Sequence, residues 1–193
     1  MNTMVKSGLF KRWQARKAQV VTWYYRGSVG GGFVYWPDGP HAQPRVLEAP
    51  MWGRAAVVEN EMMFHTAQTN GPAAMRKPAG LALNSVMEAD PDVAGGWRIT
   101  TDGTVIQQIP EQEFRFLVHW GANVYMDLEE LKVTRDHTDD ITPDMAFEVL
   151  IADLRARGEQ FEVPTDPMTD RAFIGLLTRV YDVGLPLHFP PEP

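Results

Sequence analysis

The chain contains no cysteine. This removes disulfides, thiolate zinc sites and cysteine nucleophiles together, so any metal must be held by nitrogen and oxygen, and the composition suits a reducing cytoplasm. Basic charge is also short: 18 Lys and Arg face 25 Asp and Glu, leaving a formal net charge of −7, which argues against phosphate backbones as the main partner. No apolar run approaches the roughly 18 residues needed to span a bilayer, and the first 20 residues lack the continuous apolar centre of a signal peptide. The expected setting is therefore cytoplasmic, with neither nucleic acid nor membrane as partner. One local exception is the opening segment, where Lys6, Lys11, Arg12, Arg16 and Lys17 occur with no acidic residue among them; its simplest use is the solvated face of a helix.

What is present is enough apolar residue, 44% of 193, to fill one compact domain with a small appendage. Residues 7–16 carry Leu9, Phe10 and Trp13 at helical spacing, which predicts an amphipathic helix within an N-terminal segment 1–17. The β-branched and aromatic run 19–25 is broken by the glycines of 27–32 and resumes at Phe33-Val34-Tyr35-Trp36 before the turn Pro37-Asp38-Gly39-Pro40, a hairpin-like pattern. Further strands are predicted at 54–59, 62–68, 80–87, 97–100, 104–109 and 113–125, separated by Asn70-Gly71-Pro72, Asp90-Pro91-Asp92 and Asp102-Gly103. Many short strands with turn signals between them predict a mainly β antiparallel sandwich or barrel over 18–126, for which the jelly roll is the best fit.

After Asp127 the sequence turns acidic and helix-forming, predicting a C-terminal α-helical extension over 127–188. Thr142-Pro143-Asp144 is a capped helix start, Phe147, Leu150, Ile151 and Leu154 form one face, and Gly158 ends it. A second helix starts at Asp166-Pro167 or Thr169, is lined by Phe173, Leu176, Leu177 and Val180, and stops at Gly184-Leu185-Pro186. The proline-rich tail 189–193 is expected to be either disordered or pinned down as an extended strap.

The densest chemical signal is His65 and, after ten intervening residues, Arg76. A neutral imidazole at the end of an apolar strand is a good Fe(II) ligand, and a guanidinium on the next strand can hold a carboxylate through two parallel hydrogen bonds. The stretch Glu59-Asn60-Glu61-Met62-Met63-Phe64-His65, with Arg76 beyond it and Gly32-Phe33-Val34-Tyr35-Trp36-Pro37-Asp38-Gly39-Pro40 before it, resembles the Fe(II)/2-oxoglutarate-dependent oxygenases, especially the phytanoyl-CoA dioxygenase-like branch. The resemblance implies a partial double-stranded β-helix, cupin-like, with His65 as metal ligand and Arg76 holding the tail of 2-oxoglutarate. Tyr25, Tyr35 and Trp36 are expected near the pocket from their positions. The implied cofactors are Fe(II) and 2-oxoglutarate, and the implied partner is a small-molecule substrate of unknown identity.

The resemblance also requires a His-x-Asp pair ahead of His65, since two imidazoles and a carboxylate leave three adjacent iron sites for a bidentate keto acid and O₂. The sole His-x-Asp, His137-Thr138-Asp139, lies downstream in a polar stretch without strand character and reads as a helix-capping loop. His41, His119 and His188 read as structural. Three expectations follow: an oxygenase-like protein shortened at its N-terminus and inactive as it stands, which is the favoured one; a complete, cupin-like module binding a small carboxylate through Arg76; or an interaction protein, a possible homodimer, pairing through exposed sheet edges. No catalytic side chain is assigned beyond the metal and cofactor residues.

Overall fold

A computed structural model describes residues 3–59 and 62–193; Asn60 and Glu61 of the strand motif lie outside the described residues. The elements in chain order are α1 (Thr3–Ser7), β1 (Arg16–Tyr24), β2 (Phe33–Trp36), β3 (Arg45–Leu47), β4 (Arg54–Val58), β5 (Phe64–Ala67), β6 (Val86–Ala89), β7 (Trp97–Thr101), β8 (Thr104–Ile109), β9 (Phe116–Val124), α2 (Leu128–Arg135), α3 (Pro143–Ala156) and α4 (Arg171–Val180). The protein is mainly β, in three small antiparallel sheets ordered β4-β1-β9, β3-β2-β5 and β6-β7-β8. No helix among the described residues is long and apolar enough to cross a membrane.

By contacts the chain divides into two units, Met1–Lys17 with Ala122–Gly184, and Ala18–Gly121 with Leu185–Pro193. In the first, the core is Phe10, Ala146, Leu150, Leu154, Phe173, Leu177 and Tyr181. Thr142 caps α3 by accepting the Met145 N–H, and Asp170 caps α4 by accepting the Phe173 N–H. The helix expected over 7–16 is not formed. Instead α1 ends at Ser7, Gly8 takes a left-handed φ of +69° that stops it, and residues 9–13 follow as turns closed by Trp13 N–H to Phe10 O. The apolar spacing of Leu9, Phe10 and Trp13 reflects turn packing onto the helical core, not an amphipathic helix.

In the second unit, one core draws on residues of two sheets. Val21 and Trp23 of β1 and the adjoining Tyr25 meet Phe33 of β2 and Met51, with the Trp23 and Phe33 rings 5.1 Å apart. β2 lies between β3 and β5, in a register that sets Tyr35 opposite His65 and Trp36 opposite Phe64. Side chains alternate across a strand, so Phe33, Tyr35 and His65 share one face of the sheet, Phe33 in the core and His65 exposed, while Val34 and Trp36, both buried, share the other. The third sheet is a meander whose β7–β8 turn is Asp102-Gly103, both with positive φ, as a tight two-residue hairpin requires. Its Trp97 stacks on Phe114 at 4.4 Å, beginning an aromatic row that runs through Phe116 and Tyr24 to Trp52.

The strand expected over 80–87 is displaced to β6. Gly80 has φ +84°, and turn bonds from Leu81 N–H to Pro78 O and from Ser85 N–H to Ala82 O occupy the chain before it.

Candidate carboxylate site and the residues around it

His65 projects from β5 and is exposed. Its Nδ1 lies 2.9 Å from Met63 O. A carbonyl can only accept, so Nδ1 carries the hydrogen and the Nε2 lone pair is open, the tautomer a metal ligand would adopt. The Phe33 ring sits 5.5 Å away. A second imidazole and a carboxylate are what iron further requires, and among the described residues no group of three or more His, Cys, Asp or Glu is placed to hold a metal ion. The donor set around His65 does not fit an Fe(II) centre. His137, in the alternative triplet, has φ +54° and bonds Asp140 through Nδ1 at 2.7 Å, while Asp139 is taken by Arg12 at 3.0 Å. Those residues close the turn between α2 and α3.

Arg76, expected on a strand, instead follows a short 3₁₀ turn, Ala73–Met75, and is largely covered, with 18% of its side chain exposed. Its Nε donates to Gly71 O at 3.0 Å, which fixes the plane of the guanidinium. Its Nη2 donates to Pro193 O at 2.8 Å, and Nη1 stands 3.9 Å from the Glu192 carboxylate. The guanidinium expected to hold an acid is therefore met by the tail of the same chain, through Pro193 O and the Glu192 carboxylate. Thr69 Oγ1 completes the arrangement by donating to Glu192 Oε2 at 2.7 Å.

The three aromatic residues expected near a pocket fall in different places. Tyr35 is half-buried beside His65, stacked on Phe33 at 5.8 Å. Trp36, only 2% exposed, lies on the opposite face of β2 and donates its indole N–H to His188 O at 3.1 Å, with Phe189 edge-on at 5.2 Å. Tyr25 is fully buried. Its hydroxyl hydrogen faces two acceptors, Val29 O and Glu113 Oε2, both at 2.9 Å, and its oxygen accepts Gly71 N–H at 3.1 Å. Burial first, and the Glu113 bond second, push the phenol up to about 12; the Gly71 N–H works the other way.

This Tyr25 network was not readable in advance, yet it sets the anion site, because Gly71 bonds Tyr25 through its N–H and Arg76 through its carbonyl. Glu113 and Arg115 join it from the segment before β9, Arg115 donating Nε–H to Gly31 O at 3.0 Å. The one sequence signal was the glycine run 27–32. A Cβ on Gly31 would lie 2.6 Å from the Tyr25 ring, and one on Gly30 would lie 1.9 Å from Thr69 O and 2.9 Å from Pro193 Cγ. Glycine is what lets the loop close over the tyrosine and the tail approach the loop.

Comparison with known proteins returned no matching family model, no matching curated protein and no matching solved structure.

Proposed function

We propose that this chain is a carboxylate-binding module of Fe(II)/2-oxoglutarate oxygenase descent, its strands a partial double-stranded β-helix of the jelly-roll or cupin type, with Arg76 as the anion-holding residue and no redox chemistry of its own. The observation that carries the reading is the state of Arg76: covered, oriented by Gly71 O and directed at Glu192 and Pro193. A guanidinium pre-set in this way recognises a planar acid group with little loss of side-chain freedom. His65 supports descent, since its tautomer and its place opposite Tyr35 suit a former ligand. The ligand class is a small carboxylate, 2-oxoglutarate or a relative.

Calorimetry with 2-oxoglutarate tests the proposal. Binding without metal, lost in Arg76→Ala and kept in His65→Ala, is the expected result. Binding that appears only with Fe(II) or Mn(II) and disappears in His65→Ala would instead restore the oxygenase reading.

An interaction role is favoured by a separate observation. β9 is the outer strand of its sheet and carries no charged residue from Phe116 to Val124, and Phe116, Val118 and Trp120, alternating onto one face, are 44%, 51% and 58% exposed. Edge strands normally carry charge, proline or a bulge to prevent pairing. On this reading a second copy pairs through β9, which light scattering would register as a dimer in the native chain and a monomer in Trp120→Lys; a monodisperse native monomer at high concentration removes it.

A further inference from the structure

We infer that residues 188–193 are an internal ligand of the Arg76 site, and that the surface they cover accepts an extended, proline-containing peptide bearing a carboxylate when the strap lifts. The inference rests on Arg76 as the anion holder proposed above. Contacts from four residues carry it. Trp36 donates to His188 O and meets the Phe189 ring; the Gly30 backbone allows Pro193 against it; Thr69 donates to Glu192; and Arg76 donates to Pro193 O while facing the Glu192 carboxylate. Further back, Leu187 N–H donates to Pro40 O at 3.1 Å and sets where the strap begins.

The chemistry is that of extended-peptide recognition. Pro190, Pro191 and Pro193 have no N–H to satisfy, and proline restricts the chain towards extended, polyproline-like geometry, so docking costs little conformational entropy. The protein side supplies what such a ligand needs: an indole donor, an aromatic edge, a glycine that permits close approach, and a cation for the acidic side chain. Yet the strap is loosely covered, with Phe189 63% exposed and the Glu192 side chain 76% exposed. Weak contacts suffice for a tethered segment, whose effective concentration is on the order of millimolar. An external ligand must therefore overcome the strap before it reaches Arg76.

Fluorescence polarisation with a labelled synthetic peptide of residues 185–193 tests this on the full chain. The native protein is compared with a strap-weakened variant, Phe189→Ala with Glu192→Ala, both positions being largely exposed and so tolerant of truncation. The peptide is expected to bind the strap-weakened variant at least tenfold more tightly than the native chain, and Arg76→Ala in that variant is expected to abolish the gain. Equal binding to both proteins, no binding to the strap-weakened variant, or indifference to Arg76→Ala would overturn the inference. Titrating 2-oxoglutarate into the same pair separates the two proposals. A gain matching the peptide's supports the strap. Binding of 2-oxoglutarate equally to both proteins overturns the strap and leaves the small-carboxylate reading standing. Peptide binding with no 2-oxoglutarate binding to either protein overturns the small-carboxylate reading and leaves the strap standing.

Discussion

Tyr25 is the residue around which the glycine-rich loop closes, and its hydroxyl serves Val29 O, Glu113 and Gly71 N–H from inside the core. Replacing it by Phe takes a hydrogen bond from the Glu113 carboxylate, while the Gly71 N–H keeps its second acceptor, Val29 O at 3.0 Å; losing a hydrogen bond to a charged group costs about 1.5–3 kcal/mol, which urea denaturation near neutral pH measures. The pH dependence has a definite sign. Folding raises the phenol from 10.0 to about 12, so the native state keeps a proton that the unfolded chain gives up first. The associated stability is intact below about pH 10 and is lost as pH rises towards 12. The native chain is expected to lose denaturation midpoint across that window more steeply than Tyr25→Phe, although Tyr181, also raised by burial and by its bond to Asp153, keeps part of the slope. Gly31→Ala tests the same packing from the other side: with φ +71° and a Cβ 2.6 Å from the ring, it is expected to cost roughly 2–4 kcal/mol as strain plus overpacking, read as a lowered Tm. At this scale the sequence yielded residue types but not their faces. The Phe33-Val34-Tyr35-Trp36 run names a strand, yet only the β2–β5 register reveals that Tyr35 joins His65 while Trp36 turns to the tail.

Among the elements, α3 and α4 are where local signals and structure agree best, though α4 starts at Arg171, capped by Asp170, and not at Asp166-Pro167 or Thr169. Thr142 caps α3, proline follows it, and the faces lined by Leu150, Leu154, Phe173 and Leu177 are buried. Thr142→Ala removes the cap and is expected to cost about 1 kcal/mol. Leu154→Ala, at a fully buried position, is expected to cost about 2–5 kcal/mol; loss of far-UV helical signal on heating checks both. Between these helices Asp153 accepts from Tyr181 OH at 2.7 Å and from Arg157. Desolvation works against its charge, but the Tyr181 and Arg157 bonds prevail and hold the carboxyl below its ordinary range. That contribution is present above the ordinary carboxylate range and is lost as pH falls through the lowered value. Elements without an apolar face were harder to foresee. α2 buries no residue and so leaves no periodicity, and β3, three residues long, is defined by its partner β2 and not by its own composition. β8, by contrast, runs over 104–109 as predicted from the turn signals that bound it.

At the scale of the whole molecule, the strand-rich character was readable because it is written in local turns and β-branched runs, whereas sheet assignment was not, because pairing is a long-range choice. The tail is the clearest case. Nothing in Phe189-Pro190-Pro191-Glu192-Pro193 names Trp36, which is 152 residues from His188, or Arg76, which is 117 residues from Pro193. The strap joins these two anchors through one short stiff segment, so each anchor raises the local concentration of the other. Their effects must then be coupled. A double-mutant cycle between Phe189→Ala, which removes the contact with the Trp36 ring, and Arg76→Ala, which removes the hold on Pro193 and Glu192, tests that coupling. Each single substitution is expected to lose a small amount of stability, on the order of 1 kcal/mol, and the pair is expected to lose less than the sum, because a strap already released at one end contributes little at the other. The readout is the urea midpoint of each of the four proteins, with proteolytic nicking of residues 185–193 as a second measure of release. Strict additivity would mean that the two ends are held independently, and the tail would then be two surface contacts rather than one strap.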